Sequence, residues 1–543
     1  MSFDTAQALS IQAARTIDVG RGNGSLASFQ LPAGNFVAQE FGMVAVAPRP
    51  DTETGSFTGD FATDNVNARY RWAYYDGVTP VRYELAIKLF GGSAPHIYEL
   101  ITGPSGMTVG NNRTPEDHGV IKWTPTSAHN YLNPANVTVK VYGQDGNTLN
   151  LTFSIQTTSS TEKFIFVNAD SGDDSGDGSI DDPFQTLNEL MVAASTSVTY
   201  PNRIVYLRGS TENYTTVAHT DAWMPTEEDT IPARIGLDIN NHPRSYVAFP
   251  DESVTIDFSD AQIITGNGDD FFFSGSSTND LRILGSADNS AEAHNIWISD
   301  TAKRGHFQWI NFVGFISRVN GNFTNSRPIF SPSGNYLDRQ YWSCHAVKET
   351  ERTSVSDNDG LLFCLFHMQY WADDYCSASR VGGPGVNFKD NCYNTSSRYM
   401  DIDCDSTFAF AFMGQNGSAD NEICYSKIKG PLWFNLQAGP GVGKQIEYRN
   451  TVLATDNNYE QAIRAWGGDG LVGPFLSINS VLMSKGPEIV NSLVTTTGQE
   501  CHTTNSGENP SIDDNTMTLK NAAGGTQYRD LYLYKRGAEI GQL

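Results

Sequence analysis

Short apolar runs separated by turn residues dominate the chain, and no long helical periodicity is visible. Between residues 203 and 485 such runs recur, many of them about 20–25 residues apart, which is the length of one solenoid coil. Gly, Asn, Asp and Ser lie between them. Because each coil of a solenoid buries its apolar side only against its neighbours, the recurrence predicts stacked β-coils with insertions at the turns.

Three further regions are distinguished by their patterns. Residues 72–157 alternate strand-like runs with turn signals, which predicts a small β-sandwich. Residues 1–71 carry scattered β-like runs broken by Gly and Pro, and residues 486–543 form a β-rich C-terminal end. The sandwich strands are expected within the runs Tyr83–Leu89, Ile97–Leu100, Gly119–Trp123, Val137–Val141 and Leu149–Phe153.

The segment 163–191 predicts a cap at the start of the solenoid. Phe164–Val167 is strand-like, a loop rich in Asp and Gly follows, and the run PFQTL (183–187) opens a short amphipathic helix. A solenoid needs such a cap because its open end exposes core and strand edge. The segment resembles the start of right-handed parallel β-helix carbohydrate-active proteins, a class that includes phage tailspikes and polysaccharide lyases. The resemblance implies a right-handed parallel β-helix over 163–485.

A second resemblance concerns the predicted sandwich. A tyrosine strand is followed by a Pro-x-Gly-Met turn and then by a Gly-Val-x-x-Trp-x-Pro turn. This order resembles the immunoglobulin-like domain common in bacterial surface proteins and glycoside-active enzymes, and it implies a spacer or binding module without catalytic residues. The residues that carry it are Tyr98, Pro104, Gly106, Met107, Gly119, Val120, Trp123 and Pro125.

Charge and targeting signals narrow the class of protein. The formal net charge of −25 argues against nucleic-acid binding, which needs a basic surface. No run is long enough for a transmembrane helix, so membrane insertion is not expected. No signal peptide is visible in MSFDTAQALS, and we expect an extracellular or virion location, with a possible virion-attachment segment in residues 1–71.

The best candidate for chemistry is the run MDIDCD (400–405). Strict alternation places Asp401, Asp403 and Asp405 on one face of a strand. Residues two apart lie about 6.8 Å from each other along a strand. That spacing suits the two carboxylates of an inverting glycosidase, at about 6.5–9.5 Å. It also suits a calcium ion held by several carboxylates, and a polar face without function is the third interpretation.

Charged and aromatic residues around this run extend the candidate site, because sugar recognition combines ring faces with polar groups. Coils stacked about 4.8 Å apart would bring positions near 374–380, 398–405 and 424–429 side by side. The further catalytic candidates are Asp373, Asp374, Lys389 and Arg398. The substrate-binding candidates are Trp371, Tyr375, Tyr393, Tyr399, Arg380 and Trp466.

Two mechanisms fit these residues. Hydrolysis would use two carboxylates as acid and base. Elimination on a uronate would use Lys389, Arg398 or a tyrosine, with calcium optional and no cofactor required. We therefore expect a tailspike-like protein that binds and degrades a bacterial or algal polysaccharide, with other tail proteins and a homotrimer implied by the resemblance. A non-catalytic virion structural or adhesin protein is the alternative.

Overall fold

The computed structural model describes the following residues of the chain: 43–48, 68–92, 94–126, 133–143, 146–187, 190, 203–215, 235–238, 245–257, 262–264, 271–284, 294–297, 304–313, 327–330, 341–350, 363–366, 370–381, 386–389, 393–404, 412–415, 419–429, 432–435, 446–449, 452–454, 463–466, 475–478, 481–483, 489–491, 496–499, 502–504, 512–513 and 518–519.

Three large sheets, in which every strand pair is parallel, make up the part after residue 163, and the chain visits them in turn. The first sheet comprises Phe164–Val167, Ile204–Leu207, Ser245–Ala248, Phe271–Ser274, Arg304–Gln308, Tyr341–His345, Tyr370–Asp374, Tyr393–Arg398, Ala419–Cys424, Ile446–Arg449, Phe475–Ile478 and Thr496–Gln499. The second comprises Tyr214–Thr215, Thr255–Asp257, Leu281–Leu284, Ile310–Val313, Lys348–Thr350, Ser377–Val381, Asp401–Cys404, Lys427–Lys429, Val452–Ala454, Val481–Met483 and His502–Thr504. The third comprises Ile235–Asp238, Gln262–Ile264, His294–Trp297, Arg327–Phe330, Phe363–Phe366, Val386–Lys389, Phe412–Gln415, Leu432–Asn435, Ile463–Trp466 and Ile489–Asn491.

This arrangement confirms an all-β solenoid with parallel sheets; its right-handedness stays a prediction. Successive first-sheet strands begin 21 to 41 residues apart, so many coils are longer than the expected repeat. The sheets continue past residue 485 to Thr504, and the domain boundaries stay a prediction. Beyond them, Ile512–Asp513 and Thr518–Leu519 form an antiparallel pair.

Five successive corners between the first and second sheets, from residue 309 to residue 426, are one or two residues long, and each contains one residue with positive φ. Trp309, Ala346, Tyr375, Tyr399 and Tyr425 have φ between 49° and 60°. The left-handed conformation costs a side-chain-bearing residue about 1–2 kcal/mol. Four of the five are nevertheless aromatic, which indicates that contacts made by their rings offset this cost.

An N-terminal module, residues 44–47 and 68–158 as far as described, precedes the solenoid. Its three small sheets, of two, three and four strands, share one cluster of buried apolar side chains, and its immunoglobulin-like identity stays a prediction. Val44–Ala47 pairs with Lys88–Phe90, so a strand of the predicted N-terminal region belongs to this module. Its remaining elements are the helix Ala68–Arg71 and the strands Trp72–Tyr74, Tyr83–Ala86, Ile97–Thr102, Thr108–Val109, Val120–Trp123, Ala135–Tyr142 and Thr148–Thr158.

The cap segment closes the solenoid with a hydrogen-bonded loop. Phe184 bridges to Val167, and Leu187 and Leu190 are buried as the amphipathic pattern predicts. The carboxylate of Asp174 accepts hydrogen bonds from the backbone N–H groups of Gln185 and Thr186, at 3.0 and 2.8 Å. This aspartate therefore holds the turn that leads into the buried leucines.

Cysteines are distributed over the coils. Cys344, Cys364, Cys404 and Cys424 lie in strands of all three sheets, so they do not form one stack. Cys344 and Cys376 are buried free thiols, and burial raises the pKa of both. Such thiols behave as small apolar side chains.

Candidate functional site

The structure distributes the predicted site residues over all three sheets instead of gathering them on one face. Asp405 lies outside the described residues. The first sheet and its corners contain Trp371, Asp373, Asp374, Tyr375, Tyr393, Arg398 and Tyr399. The second sheet contains Arg380, Asp401 and Asp403, and the third sheet contains Lys389 and Trp466.

The N-terminal module lies against the outer face of the first sheet, and we call this contact the seam. At its centre, Nζ of Lys88 lies 2.5 Å from Oδ2 of Asp374, with 1% and 7% of the two side chains exposed. Burial lowers the pKa of Lys88, and the Asp374 carboxylate opposes that shift. Asp374 thus contacts the module, where the sequence suggested a position facing a sugar.

Arg398 is the register neighbour of Asp374 on the next coil and is likewise enclosed by the seam. Its two terminal nitrogens donate to the backbone carbonyls of Leu89 and Gly91, each at 3.0 Å. These carbonyls follow directly after Lys88 in the module. Arg398 is therefore an interface residue in this structure, and neutralising a uronate would require it to leave both carbonyls.

The aromatic corner residues form the flank of the seam. The rings of Tyr375 and Tyr399 stack at 4.6 Å, and Tyr425 continues the stack at 5.5 Å. His118 of the module lies 3.0 Å from the Tyr375 hydroxyl through Nδ1 and 3.1 Å from the carbonyl of His96 through Nε2. Burial lowers the pKa of His118 to about 4, which keeps it neutral at neutral pH. Two of the three predicted substrate-binding tyrosines, Tyr375 and Tyr399, thus pack against the module.

Asp373 points the opposite way from Asp374, because successive side chains of a strand lie on opposite faces. It is fully buried and accepts hydrogen bonds at Oδ1 from Nε1 of Trp371 and Oγ of Ser397, both at 2.7 Å. Oδ2 has no hydrogen-bond partner among the described residues. Burial raises the pKa of Asp373 to about 7. The predicted pair Asp373 and Asp374 is therefore split between coil interior and seam.

Other residues of the seam were not predicted from the sequence. Trp309 Nε1 and His345 Nε2 both lie within hydrogen-bond distance of the Pro115 carbonyl, at 3.1 and 2.6 Å. Gln308 Oε1 accepts from the backbone N–H of Ala86 at 3.0 Å. One feature of the sequence could have indicated the seam. An aromatic residue directly follows several first-sheet strands, at corners where positive φ disfavours any residue with a side chain.

A polar contact closes the seam at the early coils. The Glu84 carboxylate accepts from the backbone N–H of Ser277 at 3.0 Å, and Arg82 donates to Asp251 at 2.8 Å. The Asp251 carboxylate also accepts from the Thr278 hydroxyl, at 2.7 Å. The module is thus held by charged and polar groups as well as by ring contacts.

On the second sheet the Asp run lies beside a lysine run. Asp401 is exposed and Ile402 is buried, as the alternation predicts. The register pairs Asp401 with Lys427 and Asp403 with Lys429. Paired positions in adjacent strands are about 4.8 Å apart. The two Asp positions and the two Lys positions therefore form neighbouring rows of this sheet.

The third sheet carries a polar strip, which we define as two rows of its register. One row joins Asn387, Met413, Trp433 and Arg464, and the other joins Gln415, Asn435 and Trp466. Extending the Phe388–Gly414 register by one residue adds Lys389 to the second row. The alternate rows are apolar, with Phe388, Gly414, Phe434 and Ala465 in one of them. The polar strip therefore occupies the opposite face of this sheet.

The described residues contain neither a metal-binding cluster nor a membrane-spanning helix. Among them, no cluster of three or more His, Cys, Asp or Glu side chains could hold a metal ion. Calcium at the Asp401 run stays a prediction, since Asp405 is outside that set. No helix within the described ranges is long and apolar enough to cross a membrane.

Comparison with known proteins gives similarities to solved structures alone. No family model matches the chain, and no curated protein matches it. A rhamnogalacturonan lyase is 13% identical, with 69% of this chain and 100% of that chain covered and a TM-score of 0.36. A GH136 lacto-N-biosidase from Eubacterium ramulus is 8% identical, with 63% and 68% covered and a TM-score of 0.28. The catalytic domain of a GH87 alpha-1,3-glucanase is 12% identical, with 79% and 88% covered and a TM-score of 0.27.

Proposed function

We propose that this chain is a polysaccharide-degrading protein whose glycan lies along the polar strip of the third sheet. The observation that carries the proposal is the register of that sheet, which aligns Lys389 and Trp466 in one row and Trp433 and Arg464 in the neighbouring row. Aromatic and amide positions beside cations are what an acidic sugar chain requires. The strip thereby takes over the substrate-binding role that the seam residues cannot fulfil while covered.

The dimensions of the polar strip suit an oligosaccharide. Lys389 and Trp466 are separated by three strand-to-strand steps, or about 14 Å at about 4.8 Å each. A cation lies near either end, Lys389 at one and Arg464 at the other. The third-sheet strands from Phe363 to Asn491 contain no Asp or Glu. Within a chain of net charge −25, this absence supports binding of a polyanionic glycan.

The composition of the polar strip favours elimination over hydrolysis. Hydrolysis needs two carboxylates beside the scissile bond, and the strip's strands offer none. Elimination on a uronate needs a base that removes the proton next to the carboxylate, and Lys389 has the required chemistry. Hydrolysis by Asp401 and Asp403 of the second sheet is the competing mechanism.

The test is incubation of the intact chain with a panel of uronate-containing and neutral polysaccharides. Elimination produces an unsaturated sugar that absorbs in the ultraviolet, whereas hydrolysis produces reducing ends without that absorbance. Replacing Lys389 with Met should lower turnover by about 10²–10⁴-fold, the usual contribution of a general base.

Lys427→Met is the matched control, because it removes a lysine from the second sheet at a register position outside the polar strip. It should leave turnover unchanged. Loss of turnover in Asp401→Asn or Asp403→Asn, with Lys389→Met fully active, would overturn the assignment to the strip and establish the competing mechanism.

A binding function without cleavage is the second candidate, and the lack of a carboxylate pair in the polar strip favours it. In that case the solenoid is an adhesin or virion structural protein, and glycan binding without released oligosaccharide would identify it. The tailspike version adds a homotrimer and an extracellular or virion location, with other tail proteins as partners. Light scattering of the purified chain tests the trimer.

A further inference from the structure

Lys88 and Asp374 are brought together in the seam from positions 286 residues apart in the chain. Lys88 begins the strand Lys88–Phe90 of the module, and Asp374 ends the strand Tyr370–Asp374 of the first sheet. The nitrogen and carboxylate oxygen are at 2.5 Å, and neither side chain is more than 7% exposed. The geometry therefore presents an amine to a carboxyl group in a place from which water is largely excluded.

The surroundings do not satisfy an ordinary buried ion pair. A lysine ammonium has three protons to donate, and within the described part of the chain Lys88 donates to Asp374 alone. Oδ1 of Asp374 has no hydrogen-bond partner among those same residues. Buried charges offset their lost hydration only when further hydrogen bonds satisfy them. A reaction that removes both charges would relieve this deficit.

Arg398 disfavours the charged form of Lys88. Its guanidinium donates to two backbone carbonyls, and its positive charge lowers the pKa of the Lys88 amine. An amine in contact with a carboxyl group supplies the nucleophile and the acyl carbon that amide formation requires. The same positive charge favours an oxyanion on Asp374, the register neighbour of Arg398, in the tetrahedral intermediate.

We propose that Lys88 and Asp374 condense to an amide that covalently joins the N-terminal module to the solenoid. One proton passes from the Lys88 ammonium to the Asp374 carboxylate, the amine nitrogen attacks Cγ, and the N–Cγ bond forms as one Cγ–O bond breaks. The departing oxygen leaves as water with its own proton and one proton from the nitrogen. Starting from ammonium and carboxylate, the products are one amide and one water, so no oxidant, reductant or co-reactant is needed.

The test is the intact mass of the full-length protein measured under denaturing conditions. The expected value is lower than the sequence mass by one water molecule. Proteolysis followed by tandem mass spectrometry should then yield a branched peptide that joins residue 88 to residue 374. The protein should also migrate as a more compact species than its uncross-linked variant on a denaturing gel.

Lys88→Arg is the control, because it keeps a cation at the position and lacks the primary amine that forms this amide. After correction for the mass difference between Lys and Arg, the variant should be heavier than the wild-type protein by one water molecule. Comparing the two proteins also cancels any processing common to both. A wild-type protein of full sequence mass overturns the proposal, whether or not the variant folds. So does a water loss located at an aspartyl-glycine step such as Asp76-Gly77 or Asp177-Gly178, where succinimide formation would explain it.

Discussion

The seam and the polar strip are built from similar residue types and lead to opposite conclusions. Both combine aromatic residues with charged ones at neighbouring register positions. In the seam, Asp374, Arg398 and Tyr375 are buried by contacts with the module. In the strip, Lys389 and Trp466 lie on the third sheet, away from the strands that the module contacts. Rings beside charges therefore indicate a binding surface in general, and only topology decides whether the partner is a sugar or the chain itself.

The largest expected effect tests the seam. Arg398→Met removes a buried cation and leaves the carbonyls of Leu89 and Gly91 without their donor, so the free energy of unfolding should fall by about 3–5 kcal/mol. Arg282→Met replaces an exposed arginine of the second sheet and should change it by less than about 0.5 kcal/mol. Urea denaturation measures both. Equal losses in the two variants would contradict the distinction between covered and open faces.

The next effect concerns the carboxyl group directly behind the seam. The pKa of Asp373 is raised from 3.8 to about 7, so the folded state holds its proton more tightly than the unfolded state. Its stabilising contribution is complete below about pH 4 and is lost as pH rises towards 7, by on the order of 4 kcal/mol at about 1.4 kcal/mol per unit. Asp373→Asn should remove that dependence.

The measurement for Asp373 is the difference in unfolding free energy between variant and wild type at pH 4 and pH 8. Taking the difference cancels the titration of other groups. Arg282→Met, which removes no group that titrates between pH 4 and pH 8, should give no such change. A pH-independent difference for Asp373→Asn would mean that this carboxyl group is not shifted by burial.

A somewhat smaller effect of opposite sign comes from the module's side of the seam. The pKa of His118 is lowered from 6.5 to about 4, because burial disfavours the charged ring. Stability is therefore lost as pH falls from 6.5 to 4, by on the order of 3 kcal/mol. His118→Gln should reduce the loss of stability between pH 7 and pH 4. Thermal denaturation across that range checks it, and an unchanged acid slope would contradict the lowered pKa.

The smallest expected effect belongs to the polar strip. Trp466→Ala removes a ring from the row that contains Lys389 and should weaken glycan binding by about 1 kcal/mol, or roughly fivefold. Stability should change little in comparison with Arg398→Met. Calorimetric titration with the cleaved polysaccharide measures the affinity. A large loss of stability with unchanged affinity would show that Trp466 packs within the coil and does not bind the glycan.

Much of the fold could be predicted because its signals are local. Short apolar runs separated by turns predicted stacked β-coils, and the burial of Leu187 and Leu190 in the cap segment followed from the amphipathic pattern. The stacking of positions near 377, 401 and 427 was also anticipated, since it needs only the coil length. The parallel strands at Ile489–Asn491, Thr496–Gln499 and His502–Thr504 were not among the recurring runs, which ended at residue 485.

The site could be predicted much less completely, for a physical reason. Alternation correctly separated Asp401 from Ile402, but it treats every outward position as exposed. Asp374 is covered because it contacts Lys88 of the module, which lies 286 residues earlier in the chain. No local sequence pattern predicts a contact over that distance. The catalytic roles of Asp401, Asp403, Asp405, Lys389 and the remaining candidates stay predictions until turnover is measured.

The separation between Lys88 and Asp374 also has a consequence for biosynthesis. The module emerges from the ribosome before the coils on which it rests, and at about 5–20 residues per second the intervening chain takes on the order of tens of seconds to make. During that interval the nascent module must present Lys88 and its neighbouring apolar strand to the surroundings. A chaperone that binds nascent chains would find this surface first, and the arrival of the strand Tyr370–Asp374 would release it.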